Sequence, residues 1–342
     1  MDIQKRSAGF GAALLIFAVL FRLVMGSLTA AAQATPPSVE LPLRLPAVAF
    51  TPLLPTVQPT SPTTPTLPTE TAPPVTTAPP ETTVPPPSKI TFSAADGAYL
   101  RLRSATDCPY SPDLLPLLLQ PLDWQLATGE PTVLIYHSHA CESYAKQDQA
   151  YTEQAPGRTT DPNYNMVAVG DALASLLESR GISVIHDRQL HDALSYNSAY
   201  TNSAHSVSEY LRQYPSIRLI LDLHRDAATA TDGSAYATAV EINGETAAQF
   251  MFVIGTDANG SLHQNWQKNL GLACKLQVLL EKQVPGITRR STLRGCPFNQ
   301  NLSTGALLIE VGASGNTLQQ VYRSLPYLAN AIAALAYGTE GM

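Results

Sequence analysis

Residues 131–144 read PTVLIYHSHACESY, an apolar run followed at once by two histidines, a cysteine and a glutamate. A short apolar run such as 133–136 is typical of a buried β-strand. A helical pattern follows, because apolar residues recur at helix-face spacing from Asn163 to Arg180 and Gly181 then ends the pattern. A strand followed by a helix indicates the start of a βαβ unit.

The same alternation continues towards the C-terminus. Further apolar runs predict strands over 182–185, 217–223, 250–254 and 306–309. Further amphipathic patterns predict helices over 197–213, 266–282 and 317–337. Since alternating strands and helices build parallel sheets between helical layers, the sequence predicts an α/β fold. We expect a mainly parallel, twisted sheet with helices on both faces.

Unusual polar residues stand where three of these strands are predicted to end. Because ligands of open α/β sheets bind outside the carboxyl ends of the strands, we expect these side chains to meet in one crevice. The residues concerned are His137, His139, Glu142, His224 and Glu310.

Two imidazoles and a carboxylate are the ligands of a catalytic zinc site that keeps one position open. Zinc would lower the pKa of a water molecule and polarise a carbonyl group. A further carboxylate, Glu310, would then move the proton to a leaving nitrogen. Arg225 would orient the substrate or a carboxylate, or would form an ordinary ion pair with Asp226 or Asp187.

Other chemistries find less support in the sequence. Gly-x-Ser-x-Gly, Walker A, Gly-x-Gly-x-x-Gly and His-Glu-x-x-His motifs do not occur. Cys141 near His139 leaves a cysteine hydrolase as an alternative. Cys274 and Cys296 are the cysteine pair to test for a disulfide, with free thiols as the alternative. His191, His205 and His263 are expected in solvent.

Charge and composition divide the chain into three segments. Residues 1–34, with Lys5 and Arg6 before an apolar run, predict a membrane anchor; a cleaved signal is the alternative and a buried helix is least favoured. Residues 35–88 hold 17 of the 28 prolines and predict an extended linker. Residues 89–342 form the predicted catalytic domain. This segment has 17 Lys and Arg against 23 Asp and Glu, which argues against nucleic-acid binding.

Three motifs together resemble the stage II sporulation protein P family. Residues 133–144 (VLIYHSHACESY) resemble its first signature and residues 223–227 (LHRDA) its second. Residues 298–303 (FNQNLS), followed by 307–312 (LLIEVG) and 316–318 (NTL), resemble its third. The likeness spans about residues 131–335.

The resemblance implies a fold similar to that of zinc-dependent N-acetylmuramoyl-L-alanine amidases. It implies zinc at His139 or His137, with Glu142 and His224, and Glu310 as base. It also implies a membrane-anchored, extracytoplasmic hydrolase that cleaves peptidoglycan during forespore engulfment, with a possible endopeptidase activity on cross-links. The implied partners are a glycan-cleaving enzyme similar to stage II sporulation protein D and a membrane protein of the engulfment machinery.

Two other functions stay open at this level. A non-catalytic module of this fold would bind peptidoglycan and recruit other hydrolases, and would release no product with any metal. A metal-dependent peptidase of another extracellular substrate would cleave peptides that are free of wall material.

Overall fold

The computed structural model describes residues 88–147 and 151–340 of the 342-residue chain. The predicted anchor (1–34) and linker (35–88, apart from Ser88) lie outside the described residues, so both stay predictions. The helices and strands of the described part lie between Ile90 and Glu340. None of those helices is both long enough and apolar enough to cross a membrane.

The strands, in chain order, are β1 Ile90–Thr91, β2 Leu102–Ser104, β3 Val133–Tyr136, β4 Val184–His186, β5 Leu219–Asp226, β6 Ala239–Ile242, β7 Glu245–Ala248, β8 Phe250–Gly255, β9 Ser291–Arg294, β10 Ala306–Ala313 and β11 Thr339–Glu340. The α-helices are α1 Leu114–Leu119, α2 Met166–Glu178, α3 Ala199–Gln213, α4 Trp266–Gln283 and α5 Leu318–Ala334. Short 3₁₀ turns cover Ala94–Tyr99, Tyr196–Ser198 and Gln300–Leu302.

Seven strands form the central sheet, in the order β2-β9-β8-β10-β5-β3-β4. Neighbours pair in parallel throughout, except that β8 and β10 are antiparallel. The predicted mainly parallel α/β sheet is thus confirmed. β8 runs antiparallel to β5 and β10 because no helix connects β5 to β8. The intervening hairpin β6–β7 leaves the chain at the edge where β5 ended.

Helix α2 shows why the predicted helices form. The Asn165 side chain accepts a hydrogen bond of 2.9 Å from the Val167 N–H, which caps the first turn. Gly181 then takes a positive φ of 76° just beyond the last turn, a conformation that favours glycine. Between these signals, the helix buries a stripe of apolar residues, namely Met166, Val169, Leu173 and Leu177.

Side chains along the central strands alternate between the two faces of the sheet. One face packs beneath α2, α4 and α5, and carries Leu219, Leu221, Leu223, Phe250, Phe252, Ile254, Leu307, Ile309 and Val311. The other face carries the intervening residues. Helix α3 covers this second face at its β3 end, where Val207 packs with Leu134 and Ile220. Helices therefore cover both faces, as predicted, but beyond α3 the second face lines a cleft.

Two strands extend further than their apolar patterns predict. β5 continues to Asp226 and β10 to Ala313. His224 and Glu310 therefore lie inside strands and not beyond their ends, and they are Cα partners in the parallel ladder. Hydrogen bonding to neighbouring strands extends the ladder through polar residues, which hydrophobicity alone does not reveal. Consequently the crevice lies on the face of the sheet as well as at its edge.

Candidate active site

A cleft of about 500 Å³ opens on the second face of the sheet. Five predicted site residues line this cleft, namely His139, Glu142, His224, Arg225 and Glu310. They come from three places in the sequence: the loop after β3, the end of β5 and the middle of β10. Because β3, β5 and β10 are consecutive neighbours in the sheet, the fold brings these residues together.

His139 and Glu142 lie in the tight turn that follows β3. The Glu142 N–H donates a 3.1 Å hydrogen bond to the His139 carbonyl, which places both side chains on the same turn. The His139 ring stacks on Tyr196 with centroids 4.1 Å apart and stands perpendicular to the His224 ring at 5.5 Å. Glu142 Oε2 lies 3.7 Å from His224 Nδ1.

His224 lies between two carboxylates. Its Nε2 is 2.9 Å from Asp222 Oδ1, on the opposite side of the ring from Glu142. Burial by itself lowers the pKa of His224. The negative charges of Asp222, Glu142 and Glu310, together with the hydrogen bond to Asp222, outweigh the effect of burial and raise the pKa of His224 to about 10. In the absence of another cation, this imidazole carries a proton at neutral pH.

Glu310 faces the cleft from β10. Burial raises the pKa of its carboxyl group to about 8; the charge of His224 acts in the opposite direction and the charge of Glu142 in the same one. Its Oε2 atom is buried and has no hydrogen-bond partner within the described residues. A carboxyl group that titrates near neutrality suits a residue that takes up and releases a proton.

Two aspartates that the sequence analysis did not select stand behind the histidines. Asp222 accepts hydrogen bonds from the Ser138 N–H (2.8 Å) and the Ser138 hydroxyl (2.7 Å), and its carboxylate contacts His224. Asp192 lies 3.5 Å from His139 Nδ1 and also pairs with Arg158. One signal was visible for Asp222: it is a charge inside an apolar run, two residues before His224 and on the same face. Asp192 has no comparable signal.

His137 does not join the others. Its Nδ1 lies 3.0 Å from the Leu223 carbonyl and its Nε2 lies 2.9 Å from His186 Nε2. Both rings lie against Gly170 of α2, on the side of the sheet away from the cleft. The strand ends at Tyr136 and the chain turns directly after His137, so the two-residue alternation of the strand does not extend to His139, which lines the cleft instead. Of the two alternatives, the structure therefore places His139 with Glu142 and His224.

Arg225 lines the cleft, but its guanidinium group is engaged by backbone. The guanidinium group donates to the carbonyl groups of Ser143 (3.1 Å) and Gly157 (2.9 Å). The backbone N–H of Arg225 donates to Glu142 Oε2 (3.2 Å). The expected ion pairs with Asp226 or Asp187 do not form. Arg225 thus positions the turn that carries Glu142, which agrees with the predicted orientation of a carboxylate, and its role towards a substrate stays a prediction.

The cysteines are free thiols. Cys274 and Cys296, the pair considered for a disulfide, are not joined, and neither is Cys108 or Cys141. Burial, together with the neighbouring Asp192, raises the pKa of Cys141 to about 12. A thiol that keeps its proton at neutral pH is a poor nucleophile, which argues against a cysteine hydrolase.

Two of the histidines expected in solvent are buried. His191 is 6% exposed and lies 3.1 Å from Asp187, and His263 is 2% exposed. Tertiary packing covers them, because their neighbours in the sequence are polar and give no sign of burial. His205 is exposed on α3, as expected.

The cleft contains the types of side chain that bind zinc in proteins. Two imidazoles and one carboxylate are available at His139, His224 and Glu142, and carboxylates behind zinc-binding histidines commonly fix their orientation. Within residues 88–147 and 151–340, no three His, Cys, Asp or Glu side chains converge closely enough to hold a metal as they stand. Metal binding would therefore require these side chains to move closer together.

Comparisons with known proteins agree with the motifs. The model of the family "Stage II sporulation protein P" matches residues 76–333, about three quarters of the chain. Stage II sporulation protein P of Bacillus subtilis (strain 168) is 28% identical over 227 residues, which cover 63% of this chain and 54% of that protein. The chain thus matches about half the length of this relative.

Solved structures that resemble the chain are named as amidases. An N-acetylmuramoyl-L-alanine amidase from Clostridium difficile 630 is 20% identical and covers 60% of this chain and 94% of that chain, with a TM-score of 0.34. The amidase AmiC2 of Nostoc punctiforme is 11% identical with the same coverage and a TM-score of 0.36. The family match spans most of the chain, and the chain therefore belongs to the stage II sporulation protein P family.

Proposed function

We propose that this chain is a metal-dependent peptidoglycan hydrolase, an N-acetylmuramoyl-L-alanine amidase that also cleaves peptide cross-links during forespore engulfment. The observation that carries the proposal is the convergence of His139, Glu142, His224 and Glu310 in one cleft. Family membership gives the biological setting.

In this proposal, His139, Glu142 and His224 hold a zinc ion. When bound, zinc would polarise the scissile carbonyl group and lower the pKa of a water molecule. Glu310 Oε2 accepts a proton from the attacking water and returns it to the leaving amide nitrogen. Asp192 and Asp222 keep the two imidazole rings in place, and Arg225 keeps Glu142 in place.

The electrostatics of the cleft support a cation at this position. Glu142, Asp222 and Glu310 surround His224, and together they raise its pKa to about 10. Glu310 itself has a pKa raised to about 8 by burial. The site thus retains protons that carboxylates and imidazoles in water would release at neutral pH. A divalent cation would replace these protons, as metal binding to such ligands does.

The test combines metal content with digestion of purified cell-wall sacculi by the full chain. We expect about one zinc per chain, loss of digestion on chelation and recovery with zinc. His224→Ala should lose both zinc and activity, whereas Glu310→Gln should keep zinc and lose activity. Glu178→Gln, which changes an exposed glutamate at the end of α2, is the matched control. Full activity in either cleft variant would refute the proposal.

The alternative functions predict different results. Binding to sacculi without product, whatever metal is added, would favour the scaffold module. Cleavage of peptides free of wall material would favour a peptidase of another substrate. Ratios of released muropeptides would separate amidase from endopeptidase activity.

We further propose that residues 1–34 anchor the chain with residues 89–342 on the extracytoplasmic side. A glycan-cleaving enzyme similar to stage II sporulation protein D and a membrane protein of the engulfment machinery are the proposed partners. Membrane fractionation, protease accessibility and co-purification from sporulating cells test these points.

A further inference from the structure

The cleft continues from Glu310 across the open part of the sheet. Cα partners form a lateral row in which Leu308 pairs with Val253, Val253 with Thr292 and Thr292 with Arg103. Residues in such a row point to the same face, so this is the face that carries Glu310. All four line the cleft. The cleft therefore has a floor that runs from β10 to the edge strand β2.

This floor is apolar in the middle and basic at its far end. Met251, Val253 and Leu308 form a small apolar cluster on this face, with Phe298 packed against it. The far end carries Arg103 and Arg294, both of which line the cleft. These cations stand out in a chain whose net charge is −6.

The three arginines of the cleft differ in what they already bind. Arg225 donates to two backbone carbonyl groups. Arg294 pairs with Asp107 at 3.1 Å and lies over the Phe298 ring. Arg103 donates through Nε to Thr292 Oγ1 at 2.9 Å and pairs with no carboxylate in the described part of the chain. Its terminal N–H groups are thus open to a ligand, and a guanidinium group matches a carboxylate in shape and charge.

We propose that Arg103 binds a carboxylate of the peptide stem of the substrate, which lies extended along this floor with its scissile amide at Glu310. This inference rests on the proposed function, because it takes the stem as the occupant. Three strand spacings separate β10 from β2, which is about 14 Å. An extended peptide covers that distance in about four residues. Stem peptides have this length and carry free carboxylates.

The opposite wall of the cleft fits the other part of the substrate. Tyr196, Asn197 and Tyr200 line the cleft on the side of His139, whose ring contacts both tyrosines. Aromatic and amide side chains suit an uncharged sugar better than a carboxylate. The glycan would lie on this wall and the stem on the floor towards Arg103.

The test measures binding, so that it does not depend on catalysis. Calorimetry would compare the free stem tetrapeptide with the same peptide whose carboxylates are all amidated, using the zinc-loaded full chain. We expect wild type to bind the acidic peptide about tenfold more tightly than the amidated one. Arg103→Gln should lose about tenfold on the acidic peptide and stay within about twofold on the amidated one.

Two variants serve as controls. Arg103→Lys keeps the charge and should retain part of the preference. Arg212→Gln removes an exposed arginine on α3 that pairs with Glu209, and should bind like wild type. Equal affinity of wild type and Arg103→Gln for the acidic peptide would overturn the inference. Equal losses on both peptides, or an equal loss in Arg212→Gln, would overturn it as well.

The outcome separates this inference from the proposed function. If wild type digests sacculi but Arg103→Gln binds the acidic peptide normally, the carboxylate site is wrong and the hydrolase stands. If wild type digests nothing but the preference depends on Arg103, the carboxylate site stands and the chain is a stem-binding module.

Discussion

Replacing Glu310 by glutamine should abolish hydrolysis and, at the same time, make the metal-free protein more stable at neutral pH. Burial raises the pKa of Glu310 from 4.5 to about 8, so the fold disfavours its charged form. Its Oε2 atom is buried without a hydrogen-bond partner in the described residues. Glutamine keeps the shape of the side chain but never carries the charge.

The size and sign of the stability effect follow from this pKa. Because the folded-state pKa is the higher one, the native protein binds more protons than the unfolded chain between pH 4.5 and 8. Stability from this group is therefore present below pH 4.5 and lost as pH rises towards 8. At pH 7, about 2.5 units above the pKa of 4.5, the loss of stability amounts to about 3 kcal/mol.

The assay is urea unfolding of the full chain with a chelator present, at pH 5, 7 and 8.5. The buried Trp124 and Trp266 supply a fluorescence signal. The advantage of Glu310→Gln over wild type should be small at pH 5 and largest at pH 8.5. Glu178→Gln should show no such trend. In the zinc-loaded protein, sacculus digestion should fall by about 10²- to 10⁴-fold.

Two results would refute this reasoning. A difference in unfolding free energy that does not change with pH would mean that burial does not penalise the Glu310 carboxylate. A variant that is less stable than wild type at pH 8.5 would mean that the charged carboxylate is stabilised by the fold. Retained digestion would in addition remove Glu310 from the proposed mechanism.

Three further predictions concern Asp222, Gly170 and Cys141. Asp222→Asn should weaken zinc binding about 10- to 100-fold, because the carboxylate that orients His224 is lost, and competition with a chromogenic chelator would measure it; unchanged affinity would assign Asp222 to folding alone. Gly170→Ala should destabilise the protein by about 1–3 kcal/mol in urea unfolding, since the new Cβ would stand 2.6 Å from His137 Nε2; a stabilised variant, as expected from helix propensity alone, would contradict the packing. Cys141→Ala should digest sacculi within about threefold of wild type, since its thiol is buried and protonated; complete inactivation with intact folding and zinc content would reopen the cysteine hydrolase.

Much of the fold was predictable because its strands are nearly continuous apolar runs. Almost every residue of the central strands is buried, so hydrophobicity alone locates β3, β5, β8 and β10. The direction of β8 was not predictable, since direction depends on the connection and not on the strand. The edge strand β2 and the short strand β9 were also missed, because residues such as Arg103 and Thr292 break the apolar pattern.

The candidate site divides in the same way. His139, Glu142, His224 and Glu310 were recognisable because polar groups next to apolar strands are costly unless they have a use. Asp192 was not recognisable, because it comes from a polar loop that only the folded chain brings to His139. The choice between His137 and His139 was equally out of reach, since both follow the same strand two residues apart.

By itself, the sequence determined the fold class, the family and the chemical types at the site, because apolar periodicity and residue identity are local properties. The tertiary structure decided which face each side chain occupies and which partner it meets. It turned His137 towards α2, engaged Arg225 with backbone carbonyl groups and placed Arg103 at the end of the cleft. These outcomes depend on strand order and register, which join residues that are far apart in the chain.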